Sequence, residues 1–334
     1  MAAECKEPIL FQVKNLKKSF DAKVSLVNRL RRQEALKVYA VDNVTFDLNK
    51  GEILGLIGES GCGKSTTARL ILKLLQPDSG EMLYKGMDIT KLSDAALREY
   101  RQKVQIVFQD PYEYLNSRMN VLDTIAEPLV INNLVGSEEE KVEWVCRCLE
   151  MVDVSPARSY LYRYPHEMSG GQRQRIAIAR ALVMEPDIVV ADEPTSMLDV
   201  SVRAGVLNVL RDMKKNLNLS MIFITHDLTT AGYMCDKIAV MYKGRVVELG
   251  SRDDIIFRSA HPYTRALVNV AFDLKSFLQG HDHIIKTGEV NNYEQIQGCP
   301  FKGRCVQYDQ SCDSGCFECM HEVASGHFVS CCKA

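Results

Sequence analysis

Apolar residues along this chain fall into short unbroken runs and longer periodic ones, and the two predict different elements. Ile53 to Ile57, Val104 to Phe108, Met221 to Thr225 and Ile238 to Tyr242 are brief apolar runs of the kind that forms buried strands. Pro186-Asp-Ile-Val-Val-Ala-Asp192-Glu193 is a β-branched run of the same kind that ends on two acids. Leu70 to Leu75 and Ile176 to Val183 each follow a glycine-containing turn and predict helices. Val142, Val145, Leu149 and Val152 recur at helical spacing behind Ser137-Glu138-Glu139-Glu140, as in an N-capped amphipathic helix. A further helix after Asp199 carries Val206, Leu207, Leu210 and Leu217. Strand character is lost between Asp110 and about Met168 and returns at Met221. The pattern predicts an α/β fold, a parallel sheet interrupted by a helical subdomain at about 110–168.

The 334 residues leave room for one such domain, 1–250, and a small C-terminal module, 251–334. There is no internal repeat, so each chain holds one domain of this kind. A formal net charge of −2 gives no general attraction to nucleic acid or anionic lipid. Arg29, Arg31 and Arg32, within Val24 to Lys37, read as the solvated face of a short helix. No apolar run reaches the roughly 18 residues of a membrane span, and the first residues lack the pattern of a secretion signal. The chain is therefore expected to be soluble and intracellular, with any membrane association supplied by partners.

Candidate chemistry gathers at the ends of these runs. Gly58-Glu59-Ser60-Gly61-Cys62-Gly63-Lys64-Ser65-Thr66 follows the strand at Ile57 and matches the phosphate-loop pattern in full. In such a loop the backbone N–H groups face phosphate oxygens, Lys64 reaches the β- and γ-phosphates, and the Ser65 hydroxyl is offered to Mg²⁺. Asp192 suits the Mg²⁺ shell and Glu193 the attacking water. Ser169-Gly170-Gly171-Gln172 opens a helix, and helix N-termini attract anions. Gln109 and His226 stand where strands end, the side of an α/β sheet where ligands gather.

In this order the residues resemble the nucleotide-binding subunit of an ATP-binding cassette (ABC) transporter, over roughly residues 9–250. The resemblance implies an ABC ATPase fold: an antiparallel β subdomain, a RecA-like parallel core and a helical insertion. It implies ATP and Mg²⁺ as ligands, with Gln109, Asp192 and Ser65 near the metal, Glu193 as base or water-orienting residue and His226 on the γ-phosphate. Two such subunits pack head to tail, so Ser169, Gly170, Gly171 and Gln172 of one complete the site of the other, and Asp199 couples the two. The family also stacks adenine on an aromatic ahead of the loop; here Phe20, expected just past the first strand, and Tyr39, just before the second, are both candidates. Met168 stands where the family usually has Leu, a swap of similar volume.

The tail narrows the resemblance. His261-Pro-Tyr-Thr-Arg-Ala-Leu267 and Gly298-Cys-Pro-Phe-Lys-Gly-Arg-Cys305, together with Phe108-Gln-Asp-Pro-Tyr112 and Leu115-Asn-Ser-Arg-Met119, resemble the dipeptide and oligopeptide importer branch. That implies a peripheral subunit on the cytoplasmic face of the cell membrane. Its partners would be a related ATPase in a heterodimer, two membrane permease subunits and an external solute-binding protein. Seven of the twelve cysteines fall between Cys299 and Cys332, a density that packing alone does not explain. The branch pattern corresponds to Cys299, Cys305, Cys312 and Cys331 and implies a [4Fe-4S] cluster, with Zn²⁺ or a disulfide as alternatives. Cys316, Cys319 and Cys332 exceed that pattern and leave the fourth ligand open. His321 and His327 could serve zinc, but are expected at the surface. Cys62 is expected to make ATP binding sensitive to thiol reagents. The competing reading is a soluble ABC ATPase that remodels a nucleic-acid, ribosomal or metalloenzyme complex, but such proteins often carry two cassettes or basic and coiled-coil inserts.

Overall fold

The computed structural model describes residues 9–21, 37–272, 298–313 and 319–334. Arg29, Arg31, Arg32, Cys5, Cys316 and the polar stretch 279–297 lie outside the described residues. In chain order the first elements are β1 Ile9–Asp21, β2 Lys37–Asn49, β3 Ile53–Ile57, α1 Lys64–Ile71, β4 Ser79–Tyr84 and β5 Met87–Asp88. There follow α2 Asp94–Lys103, β6 Val104–Val107, α3 Pro111–Tyr114, α4 Val121–Ile131, α5 Glu138–Met151, α6 Gly170–Leu182 and β7 Ile188–Asp192. The remainder is α7 Val200–Leu217, β8 Ser220–Thr225, α8 Leu228–Met234, β9 Lys237–Tyr242, β10 Arg245–Ser251, α9 Arg252–Phe257, α10 Pro262–Phe272, β11 His321–Ala324 and β12 His327–Val329.

Two sheets result, one of four strands in the order β2-β1-β4-β5 and one of eight in the order β11-β12-β10-β9-β3-β8-β7-β6. β3 pairs parallel with β9, and β6 with β7, while β10, β12 and β11 are added antiparallel. Every residue of β3 and β8 is buried, as parallel strands covered on both faces require. Contacts divide the chain into two compact units, one of residues 1–49, 54–91 and 224–334, the other of 50–53 and 92–223.

In the first unit β1 and β2 run antiparallel from Ile9↔Asn49 to Asp21↔Lys37. Phe11 and Val13 alternate inward; the register then shifts, Asn15 takes a left-handed φ of 49°, and Leu16 turns into the core with Val41, Val44 and Phe46. α1 is shorter than the apolar run suggested. It ends at Ile71, the amides of Leu74 and Leu75 both fold back to the Arg69 carbonyl, and Leu74 is exposed.

In the second unit α6 packs against α4 and α5. α5 starts as predicted, with Ser137 Oγ accepting from the Glu140 amide at 3.2 Å and three glutamates in its first turn. Val145, Cys148, Leu149 and Val152 are buried. Trp144 is not core; it lies off that stripe, half-buried, with the Arg147 guanidinium 4.5 Å from its ring centre.

Candidate nucleotide site and cysteine module

The phosphate loop is fastened on both sides. Cys62 carbonyl accepts from the Gly244 amide at 2.9 Å, and the Gly244 carbonyl accepts from the Asp42 amide at 2.8 Å, which ties the loop to the β9–β10 turn. Gly63 caps α1 with φ 109°, and a Cβ there would lie 2.1 Å from the Ala40 carbonyl oxygen, so only glycine fits. No side chain caps the first turn of α1. Lys64 is buried, its ammonium donating to the Gly58 and Glu59 carbonyls at 2.7 and 3.0 Å. The charge is thereby held within the loop. Cys62 is also buried, and burial pushes its thiol above the usual range despite the Lys64 charge beside it. The thiolate is the reactive form, so this burial works against the thiol-reagent sensitivity expected of Cys62.

Two groups from the far end of the chain also reach this loop, and periodicity gives no sign of them. The Glu59 amide donates to Tyr263 Oη at 3.0 Å, and the Glu59 carboxylate takes both Nη atoms of Arg304. His226 is exposed just past β8. The neighbouring Asp227 is partly buried, which raises its pKa, but hydrogen bonds from Thr230 and Thr229 outweigh this and hold it below the usual range.

In the second unit Ser169-Gly-Gly-Gln172 is a reciprocal capping box. Ser169 Oγ accepts from the Gln172 amide at 3.3 Å, and Gln172 Oε1 accepts from the Ser169 amide at 3.1 Å. A Cβ at Gly171 would fall 2.3 Å from Val202 Cγ1 at the start of α7, so the Val202 side chain would have to shift to admit it. α6 also meets the segment after β6: Gln174 Nε2 donates to the Phe108 carbonyl at 3.5 Å, and Arg173 lies over the Tyr112 ring at 4.1 Å. Gln109 is exposed immediately beyond. β7 ends on Asp192, and Glu193 takes a left-handed φ of 47°, a strained conformation for a glutamate of the kind found at functional sites. Its carbonyl accepts from the Ser196 amide and hydroxyl at 3.2 and 3.1 Å, and the turn continues to exposed Asp199 at the head of α7.

The adenine candidates differ from expectation, since both lie inside strands. Phe20 pairs with Val38, and Tyr39 with Ser19, in the β1–β2 ladder. Neither is core: Phe20 is 39% exposed under the Lys18 ammonium, and Tyr39 is half-buried.

Cys299, Cys305, Cys312 and Cys331 line one cavity of about 20 Å³, with Cys332, His261 and Phe301. Among the described residues all five of these cysteines are free thiols. Burial, helped by the neighbouring sulfurs and opposed by a backbone hydrogen bond, leaves the Cys299 thiol pushed up to about 11. Among the described residues no three His, Cys, Asp or Glu side chains meet as a metal-binding group. His321 is exposed, while His327 is buried with Nε2 2.8 Å from Glu248 Oε1, contrary to its expected place at the surface. Glu248, fully buried, also accepts from the Ala260 and His261 amides at 2.6 and 3.1 Å. Burial in the same region drives His261 down to about 3, so its ring is neutral and accepts from the Tyr263 amide. Among the described residues no helix is long and apolar enough to cross a membrane.

Residues 41–196 match the ABC transporter family model, and residues 247–312 match the C-terminal region of oligopeptide/dipeptide transporters. The chain is 40% identical over 336 residues to the oligopeptide transport ATP-binding protein AppF of Bacillus subtilis, covering 99% of both chains. It is 41% identical over 300 residues to a putative peptide import ATP-binding protein of Brucella ovis, covering 90% of this chain and 93% of the relative. Among solved structures, the dimeric post-hydrolysis cassette MJ0796 bound to ADP and Pi aligns with a TM-score of 0.63 and 28% identity, over 72% of this chain and 98% of that one. The chain belongs to the ABC transporter ATPases, in the group that carries the oligopeptide/dipeptide transporter C-terminal region.

Proposed function

We propose that this chain is the ATP-hydrolysing subunit of a peptide importer, working at the cytoplasmic face of a membrane in a heterodimer with a related ATPase. Two permease subunits and an external solute-binding protein complete the assembly. The observation that carries this reading is the extent of the similarity to the oligopeptide transport protein, 99% of both chains, which spans the C-terminal region as well as the cassette.

ATP is the substrate, and this chain's residues position it. Lys64, already held by two loop carbonyls, meets the β- and γ-phosphates, and the uncapped first turn of α1 offers its dipole to the same anion. Ser65, Asp192 and Gln109 would hold Mg²⁺, whose charge offsets that of the phosphoryl oxygens. The donor set is the hydroxyl, carboxylate and amide oxygens that a hard cation prefers. Glu193 orients the attacking water, His226 contacts the γ-phosphate, and either Phe20 or Tyr39 stacks the adenine. Ser169 to Gln172 complete the site of the partner ATPase, and Asp199 links the two sites.

The same proposal assigns a [4Fe-4S] cluster to Cys299, Cys305, Cys312 and Cys331. What supports the reading is that four cysteines line one cavity and that soft sulfur donors suit an iron–sulfur cluster better than a hard cation. The four do not meet as a metal-binding group in this structure, so the cluster would have to draw them together, and His327 is paired with Glu248. Anaerobic purification followed by iron and sulfide analysis should give about four of each per chain; zinc or no metal would remove the cluster. Transport is tested with the co-expressed complex in proteoliposomes. Glu193→Gln should keep ATP binding, slow hydrolysis at least about tenfold and abolish ATP-driven peptide uptake. Near wild-type turnover would refute the role of Glu193, and co-purification without membrane subunits would refute the importer.

A further inference from the structure

The contacts made by Glu59 form a clamp that no motif announces. Arg304 Nη1 lies 2.9 Å from Glu59 Oε2 and Nη2 3.0 Å from Oε1, a two-bond fork between residues 245 positions apart. The guanidinium stands 5.8 Å from the centre of the Tyr242 ring, which packs against Tyr263 and Phe301 at 4.7 and 5.3 Å. Tyr263 in turn accepts from the Glu59 amide. Both the backbone and the side chain of one loop residue are thus held from the C-terminal region. Arg304 is itself fixed, because the Phe301 carbonyl accepts from the amides of Arg304 and Cys305 at 2.9 and 3.0 Å.

An unpaired carboxylate beside a polyphosphate would repel it, and in the fork that charge is matched by a guanidinium whose side chain is 16% exposed. Glu59 also has its amide committed to a phenol, so the shape of the loop at that point is set from outside the loop. We propose that Arg304 is a positioning residue for nucleotide binding: it neutralises and anchors Glu59, and so makes ATP affinity depend on the folded cysteine module. The inference rests on the reading that residues 58–66 hold the triphosphate. Lysine would not substitute fully, since it keeps the charge but loses the second bond.

The test measures equilibrium binding of a fluorescent ATP analogue with Mg²⁺ to the full chain, and steady-state hydrolysis in the assembled complex. Arg304→Ala should raise the Kd and the KM for ATP about tenfold while kcat at saturating ATP stays within about twofold; Arg304→Lys should raise Kd about threefold. Adding Glu59→Gln to Arg304→Ala should recover most of the lost affinity, because the unpaired charge is gone. A wild-type Kd in Arg304→Ala would overturn the proposal, as would a loss that Glu59→Gln does not relieve. Arg304→Gln, which keeps much of the stem, carries the same expectations if the alanine variant does not fold. Failure of the wild-type chain to bind the analogue would instead overturn the phosphate-loop reading beneath it.

Discussion

Two glycine-rich segments each open a helix in this molecule, and they treat the first turn in opposite ways. At α1 the N-cap is Gly63 in a left-handed conformation, and no side chain caps the helix. At α6 Ser169 and Gln172 close a capping box on each other. The first arrangement leaves the start of the helix to an anion, with the Lys64 ammonium stored alongside. The second is satisfied by its own residues, and its glycine at 171 serves clearance against Val202. Similar residues in sequence therefore build a receptor in one place and a finished surface, suited to presentation to another molecule, in the other.

The sharpest way to break this contrast is Lys64→Ala, which removes the stored charge; ATP affinity of the isolated chain should fall by about 100-fold or more, read by equilibrium binding. Gly171→Ala should act differently, pushing against Val202 and slowing hydrolysis by the assembled complex at least about tenfold while leaving ATP affinity of the isolated chain near wild type. A parallel loss of affinity in that variant would erase the distinction. Ser169→Ala removes one half of the capping box and should cost about 1 kcal/mol in denaturant unfolding. Smallest in effect, Cys62 should alkylate more slowly than exposed Cys319 at pH 7, because burial raises its thiol pKa. Mass spectrometry of reagent-treated protein ranks the two sites.

Much of this contrast could be read from the residues, and the limits of the reading have physical causes. Ile53–Ile57 and the cap at Ser137 were legible because strand runs and helix caps are local signals. The loop and the Ser-Gly-Gly-Gln segment were legible because their chemistry needs fixed residues at fixed spacing. Phe20 and Tyr39 were misplaced because the ladder between β1 and β2 extends past the apolar positions that mark it. His327, Tyr263 and Arg304 were missed as contacts for a different reason: their partners are remote, 79 positions away for His327 and 245 for Arg304. Neither periodicity nor a motif carries such pairings. Burial of Cys62 was equally hidden, because it comes from packing around the loop rather than from the loop's own sequence.

The position of Glu248 has a consequence for the order in which the chain is made. Its buried carboxyl receives two amides from residues 260 and 261, soon after its own synthesis, but its third partner, His327, follows 79 positions later. At 5–20 residues per second that interval is roughly 4 to 16 seconds. A nascent chain in that interval holds the edge of β10 without β12 and a carboxyl lacking one contact, so the end of the cassette closes only when the final hairpin arrives.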